Sequence, residues 1–252
     1  MSDQYYRGGH SGSYGAGNYG RPRMSIGGPF SNVVKVFMIA CGVMYVLQIL
    51  FPALTKYFGL TPLSFWHGAF FQIFTFHFLH GGLLHLLFNM LVFWMFGSEL
   101  ERLWGAKRFI VYMVVTGLGA GLCQVVFTPS LPIPVIGASG IVYGILLAYG
   151  VTYPNRMVYI YFLFPVKVKY LVIFMGVIEL VSSISVQSQY SGVAHLAHLG
   201  GMVFGLGFLF YRRLYYRLRD VYYRRKLDKL KKERSKRIYV VRGDDDDKPF
   251  YH

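Results

Sequence analysis

Six apolar runs set the strongest limit on what this 252-residue chain can fold into. Several of them approach the roughly 20 residues that a helix needs to cross the hydrocarbon core of a bilayer. Because a backbone in lipid must satisfy its own hydrogen bonds, the runs are expected to form helices. They do not show the alternation of membrane-barrel strands. The runs cover residues 33–54, 83–98, 107–128, 137–153, 168–186 and 194–211.

The basic residues indicate how these runs are oriented. The formal net charge is +15, although 54% of the residues are hydrophobic and only 15% are charged. With six crossings, 25 of the 26 Lys and Arg residues fall on one side, and only Lys56 falls on the other. The positive-inside rule then places both termini in the cytoplasm. We therefore expect an integral, multi-pass membrane protein, and neither an ordinary soluble enzyme nor a nucleic-acid binder.

Composition divides the chain into three segments. Residues 1–32 are rich in Gly and Tyr and predict a flexible cytoplasmic tail. Residues 33–212 hold the six predicted helices, and residues 213–252 form a basic cytoplasmic tail. Apolar residues among the charges of this second tail predict a basic amphipathic helix. It either extends the last span into water or binds anionic lipid, and both interpretations stay open here.

Two connecting segments are expected to lie within the membrane. Residues 55–82 are rich in Phe and Trp, which favours a first loop embedded at the outer membrane interface. Residues 128–137 contain three prolines and predict an irregular segment before the fourth helix. Irregular backbone at that depth is tolerated where protein buries it or where it lines a wet cavity. The sequence thus predicts a cavity open to the outer side.

Polar residues from three different predicted helices fall at one depth. Ser139, His198 and His85 each lie 14 or 15 residues from the cytoplasmic end of their run. At 1.5 Å per residue, they lie about 21–23 Å from the cytoplasmic boundary. Asn89 follows His85 by four residues and shares its helix face. Polar residues inside membrane spans are candidates for function, so this layer is the predicted site.

The residue types in this layer suit nucleophilic catalysis. Ser139 lies between Gly137 and Gly140 at a predicted helix N-terminus, where free N–H groups can stabilise an oxyanion. A serine hydroxyl needs a base to become a nucleophile. His198 lies at matching depth and can accept the hydroxyl proton and return it to the leaving amine. This arrangement predicts a Ser-His dyad.

Other polar residues have possible supporting roles around this pair. His85 and Asn89 suit oxyanion donation, and Tyr143, one turn after the serine, could orient the His198 ring by packing. Glu179 is the acidic residue with a possible orienting role at this depth. It could instead be protonated, form a hydrogen bond to a neighbouring helix, or take part in gating.

The motifs that carry these residues resemble the rhomboid intramembrane serine proteases. The resemblance covers about residues 33–212, with the motifs in the order and spacing of the family. It implies a six-helix, bacterial-type bundle with a membrane-embedded first loop, in a bacterial inner membrane. The matching motifs are His85–Asn89, Gly137–Gly140, Ala197–Gly201 with Gly205, and Glu101–Arg102 with Gly105.

The resemblance also implies the roles of the site residues. Ser139 would be the nucleophile, His198 the general base, and His85 and Asn89 part of the oxyanion hole, with Tyr143 beneath the histidine. Such an enzyme would cleave transmembrane segments of membrane proteins through an acyl-enzyme, without metal or organic cofactor. Family substrates carry helix-breaking residues and a small residue before the cleaved bond.

Alternative interpretations compete with this one. His195 precedes His198 by one turn, but the glycines that follow favour His198 as the base. Pairs of histidines could suggest zinc, but they lack the glutamate of the His-Glu-x-x-His motif. A non-catalytic rhomboid-like client-binding protein should lack the serine or the histidine. A transporter should show internal repeats, which are not evident.

Overall fold

The computed structural model describes residues 29–160, 164–184 and 194–236, with the short segments 240–241 and 250–251. Each of the six predicted runs contains a helix. Three helices among the described residues are long and apolar enough to cross a membrane, namely Asn32–Leu50, Leu83–Trp104 and Ala106–Phe127. The number of crossings therefore stays a prediction, as does the division at residues 32 and 212. The predicted tail 1–32 lies almost wholly outside the described residues.

The helices follow one another in the order of the predicted runs. Helix α1 precedes three short helices and a 3₁₀ turn, Phe76–Phe78, in the predicted first loop. A π-helical turn, Phe93–Gly97, joins α5 to α6 within one continuous apolar helix. The α-helices are α1 (Asn32–Leu50), α2 (Ala53–Phe58), α3 (Pro62–Trp66), α4 (Gln72–Thr75), α5 (Leu83–Val92), α6 (Ser98–Trp104), α7 (Ala106–Phe127), α8 (Ser139–Thr152), α9 (Val168–Ile184) and α10 (His195–Lys236).

Two short strand pairs depart from the expected all-helical chain. Met157–Ile160 pairs antiparallel with Phe164–Lys167, immediately before α9. Alternating β-branched and aromatic residues favour this extended pairing over a helical turn. The second pair joins Val240–Val241 to Phe250–Tyr251. Both pairs lie outside the apolar runs, and each of those runs contains a helix.

The first loop packs against the segment that leads into α8. Leu60 and Val135 exchange backbone hydrogen bonds of 2.9 and 2.8 Å. The Gly137 N–H donates to the Phe76 carbonyl at 2.9 Å. The irregular segment 128–138 thus lies against other backbone, which satisfies polar groups that would be costly in lipid. These contacts place the N-terminus of α8 beside the first loop.

Helices α8 and α10 approach closely because both carry glycines. A methyl group on Gly201 would collide with the Gly140 carbonyl oxygen, and one on Gly144 would lie 3.1 Å from the Gly201 carbonyl oxygen. Small residues spaced by four allow such close helix crossings. This approach brings the start of α8 next to the start of α10.

A buried carboxylate from α6 caps the first turn of α1. Glu101 accepts hydrogen bonds of 3.0 Å from the backbone N–H groups of Val33 and Val34, and a bond from the Ser31 hydroxyl. The first N–H groups of a helix have no partner within the helix, so Glu101 provides one from outside. The neighbouring Arg102 donates to the Pro29 carbonyl at 2.6 Å. Glu101 and Arg102 therefore form a structural network.

Replacing this capping carboxylate should destabilise the bundle. In Glu101→Gln the amide oxygen can still accept, but the negative charge is lost and an NH₂ donor replaces the second acceptor oxygen, at a cost of about 1–3 kcal/mol. We expect the thermal unfolding midpoint in detergent to fall by about 3–10 °C. Glu233→Gln, on the exposed part of α10, is the matched control and should leave the midpoint unchanged. Equal midpoints for both variants would refute the capping role.

A second carboxylate network lies at the opposite end of α8 from Ser139. The Tyr149 hydroxyl donates to Glu99 at 2.9 Å, and Arg156 forms a salt bridge with the same carboxylate. Burial opposes the charge of Arg156, but its hydrogen bond and proximity to Glu99 raise its pKa above the usual value. The network contains a Glu–Tyr pair that is remote from the predicted site, so Glu99 can serve as a control for substitutions of the carboxylate in the site.

Candidate active site

Ser139 is the first residue of α8, as the sequence predicts. The 14 residues of this helix span about 21 Å, less than the roughly 30 Å of a bilayer core. The helix begins in the interior of the bundle, where Ala138 and Gly140 are buried. Its first N–H groups have no partners within the helix and carry the positive end of the helix dipole. The serine hydroxyl therefore lies beside donors suited to a developing negative charge.

The structure brings Ser139 and His198 into hydrogen-bond contact. The Ser139 Oγ lies 2.7 Å from the His198 Nε2, although the residues are 59 positions apart in the chain. His198 is buried on the first turn of α10. This is the distance that proton transfer from a nucleophile to its base requires.

Tyr143 fixes the plane of the His198 ring. The two rings stack with their centroids 4.3 Å apart and their planes at 7°. Tyr143 follows Ser139 by one turn of α8, so the same helix holds the nucleophile and the surface beneath the base. The predicted packing role of Tyr143 matches this geometry.

His85 lies against Gly137, two residues before Ser139. Gly137 has φ +128°, a conformation that favours glycine, and a Cβ there would lie 2.9 Å from the His85 Cε1. The Gly81 N–H donates to the His85 Nδ1 at 3.3 Å. A neutral imidazole that accepts at Nδ1 carries its proton on Nε2, and Nε2 is beside Gly137. His85 can therefore donate a hydrogen bond close to Ser139.

Asn89 is buried one turn further along α5. Its side-chain amide donates to the His85 carbonyl at 2.8 Å, within its own helix. The structure thus places Asn89 next to His85 but engages one of its amide hydrogens locally. The second amide hydrogen is available in principle to a substrate. Its predicted oxyanion role stays a prediction.

Glu179 contacts three side chains of this site. Its carboxylate accepts a bond from the Tyr143 hydroxyl, lies 2.6 Å from the His195 Nδ1 and lies 3.0 Å from the His198 Nδ1. Glu179 comes from α9 and is buried. The sequence signal for Glu179 is the presence of an acidic residue within an apolar run. Which histidine it meets depends on helix rotation and packing, which the sequence pattern does not determine.

The comparison with protein families shows the family of the chain. A family model described as Rhomboid domain matches residues 67–215, more than half of the chain. The chain belongs to the rhomboid family. The resemblance carried by the His85, Ser139 and His198 motifs is thereby confirmed at the level of the family.

Several rhomboid relatives match part of the chain. Rhomboid protease GluP from Bacillus subtilis (strain 168) is 31% identical over 129 residues, which are 50% of this chain and 23% of that protein. Rhomboid protease GlpG from Salmonella choleraesuis (strain SC-B67) is 31% identical over 122 residues, 45% of this chain and 41% of that protein. RHOMBOID-like protein 4 from Arabidopsis thaliana is 31% identical over 147 residues, which are 55% of this chain and 33% of that protein. The chain thus spans less than half the length of each relative.

Membership of the rhomboid family agrees with the apolar helices of the fold. Together they identify an integral membrane protein. The family match begins at residue 67, inside the predicted first loop, and ends within α10. It therefore contains all the residues described above for the site.

The base and two ionisable side chains beside it could geometrically surround a cation. Atoms of Glu179, His195 and His198 that can bind metal lie within 4.8 Å of one another. Hydrogen bonds and an ion pair among the same side chains already account for the cluster. We assign no metal to it, and the prediction of a metal-free site is tested below.

Proposed function

We propose that this rhomboid is an intramembrane serine endopeptidase that cleaves transmembrane segments of membrane proteins. The observation that carries the proposal is the 2.7 Å contact between the Ser139 Oγ and the His198 Nε2 at the buried start of α8. GluP and GlpG, two of the relatives, are named as proteases. The presence of both serine and histidine in contact favours an enzyme over a client-binding protein.

The first half of the reaction would form an acyl-enzyme. His198 takes the proton from the Ser139 hydroxyl as Oγ attacks the carbonyl carbon of the scissile bond. Negative charge on the substrate oxygen is stabilised by the backbone N–H groups at the start of α8 and by His85, with Asn89 nearby. The C–N bond then breaks as His198 gives its proton to the leaving amine, and the acyl group stays on Ser139.

The second half would release the acyl group with water. His198 takes a proton from a water molecule, whose oxygen attacks the ester carbonyl. The tetrahedral intermediate collapses, the bond to Oγ breaks, and His198 returns the proton to Ser139. The products are an amine and a carboxylate, and the residues described here supply every proton transfer without a cofactor.

The position of Ser139 indicates where a substrate would be cut. The predicted orientation places the serine about 21–23 Å from the cytoplasmic boundary, which is nearer the outer face. A substrate helix must unwind there to expose a peptide bond, so helix-breaking residues near its outer end would favour cleavage. The bacterial inner membrane, the cytoplasmic termini and the binding of anionic lipid by the basic part of α10 stay predictions.

Reconstitution tests this proposal at the level of the reaction. The protein is placed in vesicles of phosphatidylethanolamine and phosphatidylglycerol with a single-pass transmembrane peptide, and an unfolded soluble protein serves as the comparison substrate. We expect cleavage of the transmembrane peptide at one site near its outer end, mapped by mass spectrometry, and little cleavage of the soluble substrate. Equal cleavage of both, or cleavage of neither, would contradict the proposal.

A chelator added to the same assay tests the absence of a metal. Dialysis against EDTA should leave the rate unchanged, because the proposed steps use side chains alone. A rate that falls on dialysis and returns with added zinc would instead assign the cluster around Glu179 to a metal.

A further inference from the structure

We propose that Glu179 is a positioning residue for the general base, so that Ser139, His198 and Glu179 act together as a catalytic triad. The inference deepens the proposed function and rests on it. The sequence predicts a Ser-His dyad and leaves Glu179 as the acidic residue with a possible orienting role. The geometry points to a carboxylate supplied by α9, a third helix distinct from those that carry the serine and the histidine.

The His198 ring uses its two nitrogens on opposite sides. Nε2 faces the Ser139 hydroxyl at 2.7 Å, and Nδ1 faces the Glu179 Oε1 at 3.0 Å. Nδ1 is buried and has no well-aligned hydrogen bond within the described residues, so the carboxylate is the partner in reach. Catalytic contacts are often poorly aligned without substrate and tighten in the reacting complex. The 3.0 Å separation suits that role.

Two further side chains hold the Glu179 carboxylate in place. The Tyr143 hydroxyl donates to Oε1, and the His195 Nδ1 donates to Oε2 at 2.6 Å. With a donor on each oxygen, the carboxylate cannot turn away from His198 without breaking a bond. A carboxylate that is 4% exposed requires such partners to stay buried at low cost. Tyr143 and His195 thus act as a clamp on the carboxylate.

The clamped carboxylate would have two effects on the base. By accepting a hydrogen bond from Nδ1–H, the carboxylate keeps the proton on Nδ1 and the lone pair on Nε2, which is the tautomer that can accept the serine proton. When His198 becomes positively charged during the reaction, the nearby negative charge stabilises the imidazolium. Both effects are stronger in a water-poor interior than at a surface, because the effective dielectric constant is lower.

Glu179 also occupies a special place on α9. The buried residues of this helix are Val168, Val172 and Glu179, and the two valines lie near its start. Glu179 is therefore the buried residue of the distal half of α9. A purely structural interpretation would make it a tie between α9 and its neighbours α8 and α10. The two interpretations differ in what the loss of the charge does to the base.

Substitution of the carboxylate distinguishes these interpretations. Glu179→Gln keeps the shape of the side chain, but its amide can donate to Nδ1 and favour the wrong tautomer of His198. We expect kcat to fall by about 10²–10⁴-fold with KM changed by less than about threefold. Glu179→Asp, which keeps the charge one methylene further away, should retain about a tenth of the parent kcat. Glu99→Gln removes the remote carboxylate bonded to a tyrosine and should stay within about threefold of the parent.

The split between kcat and KM gives a second readout. Loss of a purely structural tie should change KM and the thermal unfolding midpoint together with kcat, whereas loss of a positioning carboxylate should lower kcat alone. Glu99→Gln should leave both kinetic constants close to those of the parent. The groups that face His198 are Ser139 and Tyr143 from α8, Glu179 from α9, His195 from α10 and His85 from α5.

The outcomes separate this inference from the proposed function. If the parent cleaves and Ser139→Ala does not, but Glu179→Gln retains the parent kcat, the positioning role is wrong and the protease stands. If the parent shows no cleavage, the proposed function itself fails. If Glu179→Gln does not fold, Glu179→Asp carries the test, and we expect its kcat to fall about tenfold. A parent-like kcat in Glu179→Asp would then overturn the inference.

Discussion

Ser139→Ala should abolish cleavage of the transmembrane peptide in reconstituted vesicles. The substitution removes the Oγ that forms the bond to the substrate, so no acyl-enzyme can form. Loss of the nucleophile from a serine protease lowers kcat by about 10⁶-fold, and the residual rate comes from the remaining oxyanion donors. We expect the initial rate to fall below detection, while the thermal unfolding midpoint of the purified protein stays close to that of the parent.

Ser183 provides the matched control for this substitution. Its hydroxyl donates to the Leu180 carbonyl within α9 at 2.8 Å. Ser183→Ala should keep the parent rate. Cleavage by Ser139→Ala at the parent rate, and at the same peptide bond, would remove Ser139 from the mechanism.

His198→Ala should be as damaging as loss of the serine. Without Nε2, nothing accepts the Ser139 proton at 2.7 Å and nothing protonates the leaving amine. We expect kcat to fall by about 10⁴–10⁶-fold in the same assay. Because serine and base act as a unit, the double variant should be no slower than Ser139→Ala alone. Additive losses would show that the two residues act independently.

Substitutions of two other histidines serve as comparisons for His198→Ala. His67 is exposed and contacts the Leu63 carbonyl in the first loop, so His67→Ala should keep the parent rate. His195→Ala should lower the rate less than His198→Ala, because His195 contacts Glu179 and not the serine. An inactive His195→Ala beside an active His198→Ala would reverse the assignment of the base.

The helices of the bundle were largely predictable from the sequence. Membrane helices must bury all their backbone polar groups, so long apolar runs have few alternatives to a helix. The start of α8 at Ser139 followed from the prolines of segment 128–137. The basic amphipathic helix predicted after the last apolar run is continuous with that run, since His195–Lys236 is one helix. The short strand pair before α9 was not predicted, since few residues carry its pattern.

The candidate site was predictable to the extent that it depends on position along a helix. Ser139 and His198 were placed at one depth from the rise of a helix, and the structure brings them into contact. The partners of Glu179 depend on how α9 turns about its axis against α8 and α10. That rotation results from tertiary packing. The sequence shows only that an apolar run contains one acidic residue, and this does not determine which side chains the residue contacts. The hydrogen bond of Asn89 to its own helix could likewise not be predicted from the four-residue spacing between His85 and Asn89.

Activity-based labelling tests the central claim most directly, because it requires no substrate sequence. A fluorophosphonate reacts with a serine only when a base activates the hydroxyl, and tryptic mass spectrometry then identifies the modified residue. We expect one adduct, on the peptide that contains Ser139, and a rate of labelling that is at least about 10²-fold lower in His198→Ala. An unlabelled Ser139, an adduct on another serine, or equal labelling of Ser139 in His198→Ala would contradict a nucleophile activated by His198.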